Sequence, residues 1–314
     1  LHTLGYDDIK AAGERIAGVT RPVPVIPADP GSFGEAEVHF ALDFTQRTGS
    51  FKDRGAANFI AAHLEDGTMP EAGVVIASGG NAGLACAWAA QRHGIRATVF
   101  VPQTAPAVKV AKLRGFGAEV RQVGTEYAQA LAAAQQFAAE SGALSSHAYD
   151  DPHIIAGAGT LLDEVLRQVP GLDTVVVAVG GGGLFAGTAI TAEHRGVHVV
   201  AVEPEHCRAL NAALQQGEVV DVEVDSIAAD SLGARRTSET ALHWARKAAA
   251  TSLLVPDSAI RNARQLLWDQ WRFAVEHGGA AALAALLDGA YEPTPGSRTA
   301  IVLCGANTDP GDLV

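Results

Sequence analysis

Eight short runs of β-branched and aliphatic residues, separated by alanine-rich segments of helical period, limit what this chain can fold into more than any other feature. Strands buried on both faces read as continuous apolar runs, and parallel pairing needs long crossovers that helices supply. The runs predict strands over Val38–Leu42, Val74–Ala77, Ala97–Val101, Glu119–Val123, Thr174–Val179, Val197–Val202, Ser252–Val255 and Thr299–Cys304. The segments between them predict helices over 53–65, 82–93, 105–115, 125–140, 153–168, 184–195, 206–216, 238–249, 257–275 and 279–288. The class is α/β. The stretch from Pro22 to Gly34 holds four prolines and reads as a loop. "QQGEVVDVEVDSIAADSLGARR", residues 215–236, alternates acidic and apolar residues without a helical face and reads as surface loop and edge structure.

At 314 residues, 48% hydrophobic and 18% charged, the chain buries a large core, and two domains are expected over one. A net charge of -12 with scattered cations leaves no basic stripe for a phosphate backbone, so nucleic acid is not an expected partner. Cys86, Cys207 and Cys304 share no disulfide or zinc spacing, which points to a reducing, cytoplasmic setting. The apolar runs are strand-sized, and the first residues lack a basic region followed by an apolar stretch. Neither a membrane span nor a secretion signal is expected.

Ligands of open α/β sheets sit at the carboxyl ends of strands, where loops meet helix amino termini. Three stretches have that placement. In "TGSFKDRGA", 48–56, Asp53 follows Lys52 and excludes a Walker phosphate loop. A lone lysine is ordinarily a solvated surface charge. Lys52, however, follows aromatic Phe51 and opens a helix whose positive end disfavours an ammonium, and burial there would free the amine that a Schiff base needs. In "SGGNAG", 78–83, backbone N–H groups at a helix start can hold a carboxylate, with Asn81 as a plain helix cap the alternative. In "VVVAVGGGGLFAG", 175–187, consecutive glycine amides ahead of a helix can cradle a phosphate. Gly181, Gly183 and Ala186 also satisfy GxGxxA, with Glu203 20 residues beyond Gly183, so a dinucleotide site and simple packing glycines stay open.

Together these motifs, with "VLCGAN" near the carboxyl end, resemble the serine/threonine dehydratase branch of the fold-type II pyridoxal-phosphate enzymes over nearly the whole chain. The resemblance implies two open, twisted, mostly parallel sheets flanked by helices. It also implies a large domain of residues 1–70 and 151–314 and a small, mobile domain of 71–150. Pyridoxal 5'-phosphate would be carried on Lys52, with Phe51 near the ring, Asn81 on the ring hydroxyl, Gly180, Gly181, Gly182, Gly183 and Leu184 around the phosphate, and Cys304 at the pyridine nitrogen. Ser78, Gly79, Asn81 and Ala82 would bind the substrate.

The implied reaction is β-elimination of L-threonine or L-serine to a 2-oxo acid and ammonia, with Lys52 as the Cα base. A thiol at position 304 is a weak hydrogen-bond partner that leaves the ring nitrogen largely neutral and favours prompt elimination. Racemases resembling this family carry a serine where this chain has Gly79, and a glycine cannot reprotonate the far face of Cα, so elimination is expected over racemisation; racemisation and β-replacement stand as the alternatives within the scaffold. Asp225 and Asp230 are candidate ligands of a monovalent or divalent cation or else solvated loop carboxylates, and Glu276 is a candidate cofactor neighbour or a helix-end charge. A regulatory amino-acid-binding module after residue 314 is not expected, and family habit implies a homodimer.

Overall fold

The computed structural model describes residues 4–313. After helix α1 (Tyr6–Ile16), the strands are β1 (Val25–Pro27), β2 (Glu37–Ala41), β3 (Val74–Ala77), β4 (Ala97–Val101) and β5 (Glu119–Gln122). They continue with β6 (Leu144–Ser145), β7 (Thr174–Ala178), β8 (His198–Pro204), β9 (Thr251–Val255) and β10 (Arg298–Val302). The remaining helices are α2 (Lys52–Glu65), α3 (Asn81–Arg92), α4 (Ala107–Gly115), α5 (Tyr127–Ser141), α6 (Pro152–Gln168) and α7 (Gly183–Arg195). Beyond them lie α8 (Ala209–Gln216), α9 (Ala229–Leu232), α10 (Glu239–Lys247), α11 (Asp257–Trp271) and α12 (His277–Leu287).

Two open sheets result. The six-stranded sheet runs β1-β2-β10-β7-β8-β9, and the four-stranded sheet runs β5-β4-β3-β6. Every pairing is parallel except β1 with β2. The central strands β7 and β8 are buried almost end to end because helices cover both faces, which is why they read as unbroken apolar runs. Among the described residues, no helix is long and apolar enough to cross a membrane.

All eight expected strands are present within two residues at each end, but five elements depart from expectation. The α1 helix was not anticipated. The proline-rich loop contains β1, an edge strand in which Pro27 needs no N–H for a ladder. The two-residue β6 is too short to carry a periodic signal. Helix 257–275 instead stops at Trp271, where Arg272 turns left-handed at φ 61°. The 215–236 stretch holds no strand; it contains the short α9, whose Leu232 is buried against the larger core.

Helix α2 is fixed with unusual closeness. A Cβ at Gly55 would come 2.7 Å from the Ile154 carbonyl, and a Cβ at Gly157 of α6 would come 2.7 Å from the Gly55 Cα, so only glycine permits this backbone approach. Arg54, fully buried, donates to Asp43 at 2.8 Å and to Glu164 at 2.8 and 3.0 Å. Such a buried ion pair adds little net stability over apolar packing, but losing one partner strands a charge, so the network holds one arrangement.

Candidate active site

Lys52 is the first residue of α2 and is placed from both sides. The Phe51 N–H donates to the Cys304 carbonyl at 2.9 Å, and Ser50 pairs with Gly305, tying the loop to the end of β10. Behind the lysine, the buried Asp53 carboxylate accepts from the Thr48 N–H at 2.8 Å and from its hydroxyl. The Lys52 Nζ donates to the Ala148 carbonyl at 3.0 Å and stands 4.6 Å from the centre of the Phe51 ring. Burial lowers its pKa from 10.5 to about 8, although Cys304 and Glu276 pull the other way. The Cys304 thiol is itself pushed up to about 12 by burial, so it is neutral near pH 7 and Glu276 is the effective opposing carboxyl. Lys52 therefore supplies a free amine at far lower pH than a surface lysine does.

The 78–83 loop joins β3 to α3. Gly80, not Asn81, is the helix cap, so the capping alternative fails. The Asn81 amide donates to both Glu276 oxygens at 2.9 and 3.1 Å, and its carbonyl oxygen accepts from Asn307 at 2.8 Å. Asn307 also donates to the Thr48 carbonyl at 2.7 Å, linking this loop to the one that bears Lys52. Glu276 is buried and occupies the cap position of α12, but its side chain makes no cap hydrogen bond and turns instead to Asn81; burial raises its pKa, so it is more than a helix-end charge. The Ser78 hydroxyl accepts from the Gly80 N–H at 3.3 Å. Gly79 lines a cleft of about 510 Å³ with Asn81, Lys109, Asp230, Ser231 and Asn307, whereas Ala82 faces a smaller cavity beside Lys52.

The glycine run leads from β7 into α7. Gly182 caps the helix at φ 96°, a conformation that glycine adopts without strain. Gly181 and Gly183 lie beneath the ring and backbone of Tyr149, whose hydroxyl donates to the Arg236 carbonyl at 3.1 Å. Their lack of side chains thus makes room for Tyr149 as well as for a ligand. The glycines, Leu184, Phe51, Lys52, Tyr149, Ser231 and Cys304 line a small cavity of about 30 Å³.

Two expectations are corrected by this geometry. Glu203 does not serve a ribose: its oxygens accept from the Leu210 and Asn211 N–H groups at 2.8 and 2.7 Å, capping α8, and burial lifts its pKa to about 8. With that carboxylate consumed, the dinucleotide alternative is lost. Asp225 and Asp230 do not form a cation site either. Asp230 pairs with Lys109 at 2.7 Å, Asp225 is exposed, and among the described residues no three metal-binding side chains gather. Conversely, Tyr149, Asn307, Ser231 and the Ala148 carbonyl reach the site although the sequence names none of them as a site residue; Asn307 lies within "VLCGAN" and Ser231 within the quoted 215–236 stretch.

An amine facing a glycine cup at the carboxyl end of a parallel sheet is the arrangement of an open α/β enzyme able to hold a phosphate-bearing cofactor. The family model for "Pyridoxal-phosphate dependent enzyme" matches residues 16–305, and the chain belongs to that family, in its fold-type II architecture. It is 36% identical over 311 residues to the L-threonine ammonia-lyase of Geobacter sulfurreducens, covering 98% of this chain and 76% of that protein. The L-threonine ammonia-lyase of Thermotoga maritima is 36% identical over 275 residues, covering 87% and 68%. Among solved structures, maize serine racemase superposes with a TM-score of 0.92 at 29% identity, covering 99% of this chain and 96% of that one. The processed form of threonine deaminase isoform 2 from Solanum lycopersicum superposes with a TM-score of 0.91 at 27% identity, covering 98% and 85%.

Proposed function

We propose that this chain is a pyridoxal-phosphate-dependent ammonia-lyase that converts L-threonine or L-serine to 2-oxobutanoate or pyruvate and ammonia. The observation that carries this reading is the half-buried Lys52 amine, its pKa lowered to about 8, in a cavity shared with the glycine cup. The residues fit the cofactor. The start of α7 offers N–H groups to a phosphate, Lys52 offers an amine to an aldehyde, Asn81 an amide to the ring hydroxyl, and Cys304 a neutral thiol to the ring nitrogen. When bound, pyridoxal phosphate supplies an electron-accepting ring conjugated to the substrate Cα.

The chain's own groups do the rest. Backbone amides of Gly79 to Asn81, at the start of α3, hold the substrate carboxylate. The free Lys52 amine would remove the Cα proton as a general base. The β-hydroxyl would leave as water, the elimination consuming overall the proton that Lys52 takes from Cα, and the enamine product would hydrolyse to the 2-oxo acid and ammonia.

Elimination is favoured over racemisation because the 78–83 loop presents no side chain at Gly79, and its Ser78 hydroxyl accepts a hydrogen bond from the Gly80 N–H. The likeness to maize serine racemase keeps racemisation as the second reading. Incubation with L-serine separates the two, since the primary reading requires pyruvate as the major product and D-serine in its place overturns it. The purified protein should be yellow, with borohydride fixing the chromophore on Lys52.

Residues 71–150 make up the small domain and 1–70 with 151–314 the large one. This division is supported by a four-stranded sheet drawn wholly from residues 74–145. A homodimer in the cytoplasm is the proposed state, and three free, buried cysteines suit a reducing compartment.

A further inference from the structure

The cofactor cavity and the larger cleft meet at one side chain. Among the described residues Ser231 alone lines both. It sits on α9, half-buried, and its hydroxyl has no hydrogen-bond partner in the protein. Its backbone packs on the cup: a Cβ at Gly180 would meet the Leu232 Cα at 3.0 Å and the Ser231 carbonyl at 3.3 Å. On its other side the hydroxyl stands over Gly278, where any Cβ would overlap it. The Lys109 ammonium holds α9 from across the cleft through Asp230 at 2.7 Å.

A substrate for the proposed elimination has to span these two spaces. Its carboxylate belongs at the Gly79 to Asn81 wall of the cleft, and its Cα belongs at Lys52 in the cavity. The β-carbon then faces the junction. A hydroxyl left without a protein partner at that point is matched to a ligand group that can accept a hydrogen bond.

We propose that Ser231 is a specificity-determining contact whose hydroxyl donates a hydrogen bond to the β-oxygen of the substrate and orients the C–O bond for departure. The proposal rests on the elimination reading. No bond to Ser231 forms or breaks; the contact selects β-hydroxy amino acids over those lacking an acceptor at that carbon.

The test compares the Ser231→Ala holoenzyme with wild type on L-threonine and on β-chloro-L-alanine, which eliminates at the same carbon without a hydroxyl to hold. The expected result is a fall of about 3- to 10-fold in kcat/KM on L-threonine, the worth of one neutral hydrogen bond, with β-chloro-L-alanine nearly unchanged. Ser231→Thr, which keeps the hydroxyl, should retain the L-threonine rate. A second readout needs no turnover: titration of the cofactor absorbance should show weaker binding of O-methyl-L-serine to the alanine variant, with L-alanine binding unaltered. Equal losses on both substrates, or none, overturn the assignment. A wild-type holoenzyme that eliminates neither amino acid overturns the functional reading on which it rests.

Discussion

Lys52→Met should make the cofactor-free protein more stable, not less. The lysine lies in a site that lowers its pKa from 10.5 to about 8, and this displacement measures the cost of keeping an ammonium there. At about 1.4 kcal/mol per tenfold change, the cost is about 3 kcal/mol at pH 7. Below pH 8 the folded and unfolded chains both carry the proton, so the full cost applies. Between pH 8 and 10.5 the unfolded chain still binds the proton while the folded chain has released it, so stability rises with pH. Above 10.5 neither form is charged and the cost is gone. Methionine has similar reach and no charge, so it removes the penalty while filling the space. Urea unfolding of wild type stripped of cofactor and of the variant, at pH 7 and near pH 10.5, reads the difference directly. A gain of about 3 kcal/mol at pH 7 that shrinks toward zero at the higher pH is expected. A variant no more stable at pH 7, or a difference that ignores pH, would refute the argument that the active amine is bought with folding free energy.

Other perturbations follow from the same geometry. Reconstitution of stripped protein with pyridoxal phosphate should accelerate with rising pH and level off near pH 8, because the free amine reacts; an inflection near 10.5 in stopped-flow absorbance would contradict the lowered pKa. Gly181→Ala should push Tyr149 off the cup and weaken cofactor binding about tenfold or more, and adding Tyr149→Ala should restore part of it, as measured by equilibrium dialysis. Gly79→Ser places a Cβ 3.3 Å from Val101, so the variant should fold with a loss of about 1 kcal/mol and gain a hydroxyl on the cleft wall. Chiral chromatography of its products from L-serine should then show D-serine that wild type does not make. Glu203→Gln should cost about 1–3 kcal/mol by unpairing the start of α8 while leaving cofactor affinity and kcat unchanged; loss of cofactor would show that Glu203 belongs to the site.

The fold was legible where local chemistry and burial coincide. Strands such as Thr174–Ala178 are covered on both faces, so their apolar content appears without reference to any partner. Strand β6 owes its existence to pairing with β3 and β1 owes its to β2, and no local pattern announces a contact that another segment supplies. The site divides the same way. Lys52 and the glycine run carry their meaning in neighbouring residues, whereas Tyr149 acquires its place only because the chain brings it over Gly181 and Gly183. Glu203 shows the opposite failure. Its spacing matches a ribose-binding acid, yet two backbone N–H groups at the start of α8 claim both oxygens first.

The contact between Gly55 and Gly157 sets a boundary on how this scaffold can change. Two hydrogen atoms, where any other residue would carry carbon, decide how closely α2 lies on α6, and Lys52 rides at the head of α2. A methyl group at either position would lift the helix and carry the amine away from the cup. Altered substrate preference is therefore to be sought on the opposite wall, at Gly79, Lys109 and Ser231, where side chains can be exchanged while the nucleophile keeps its address.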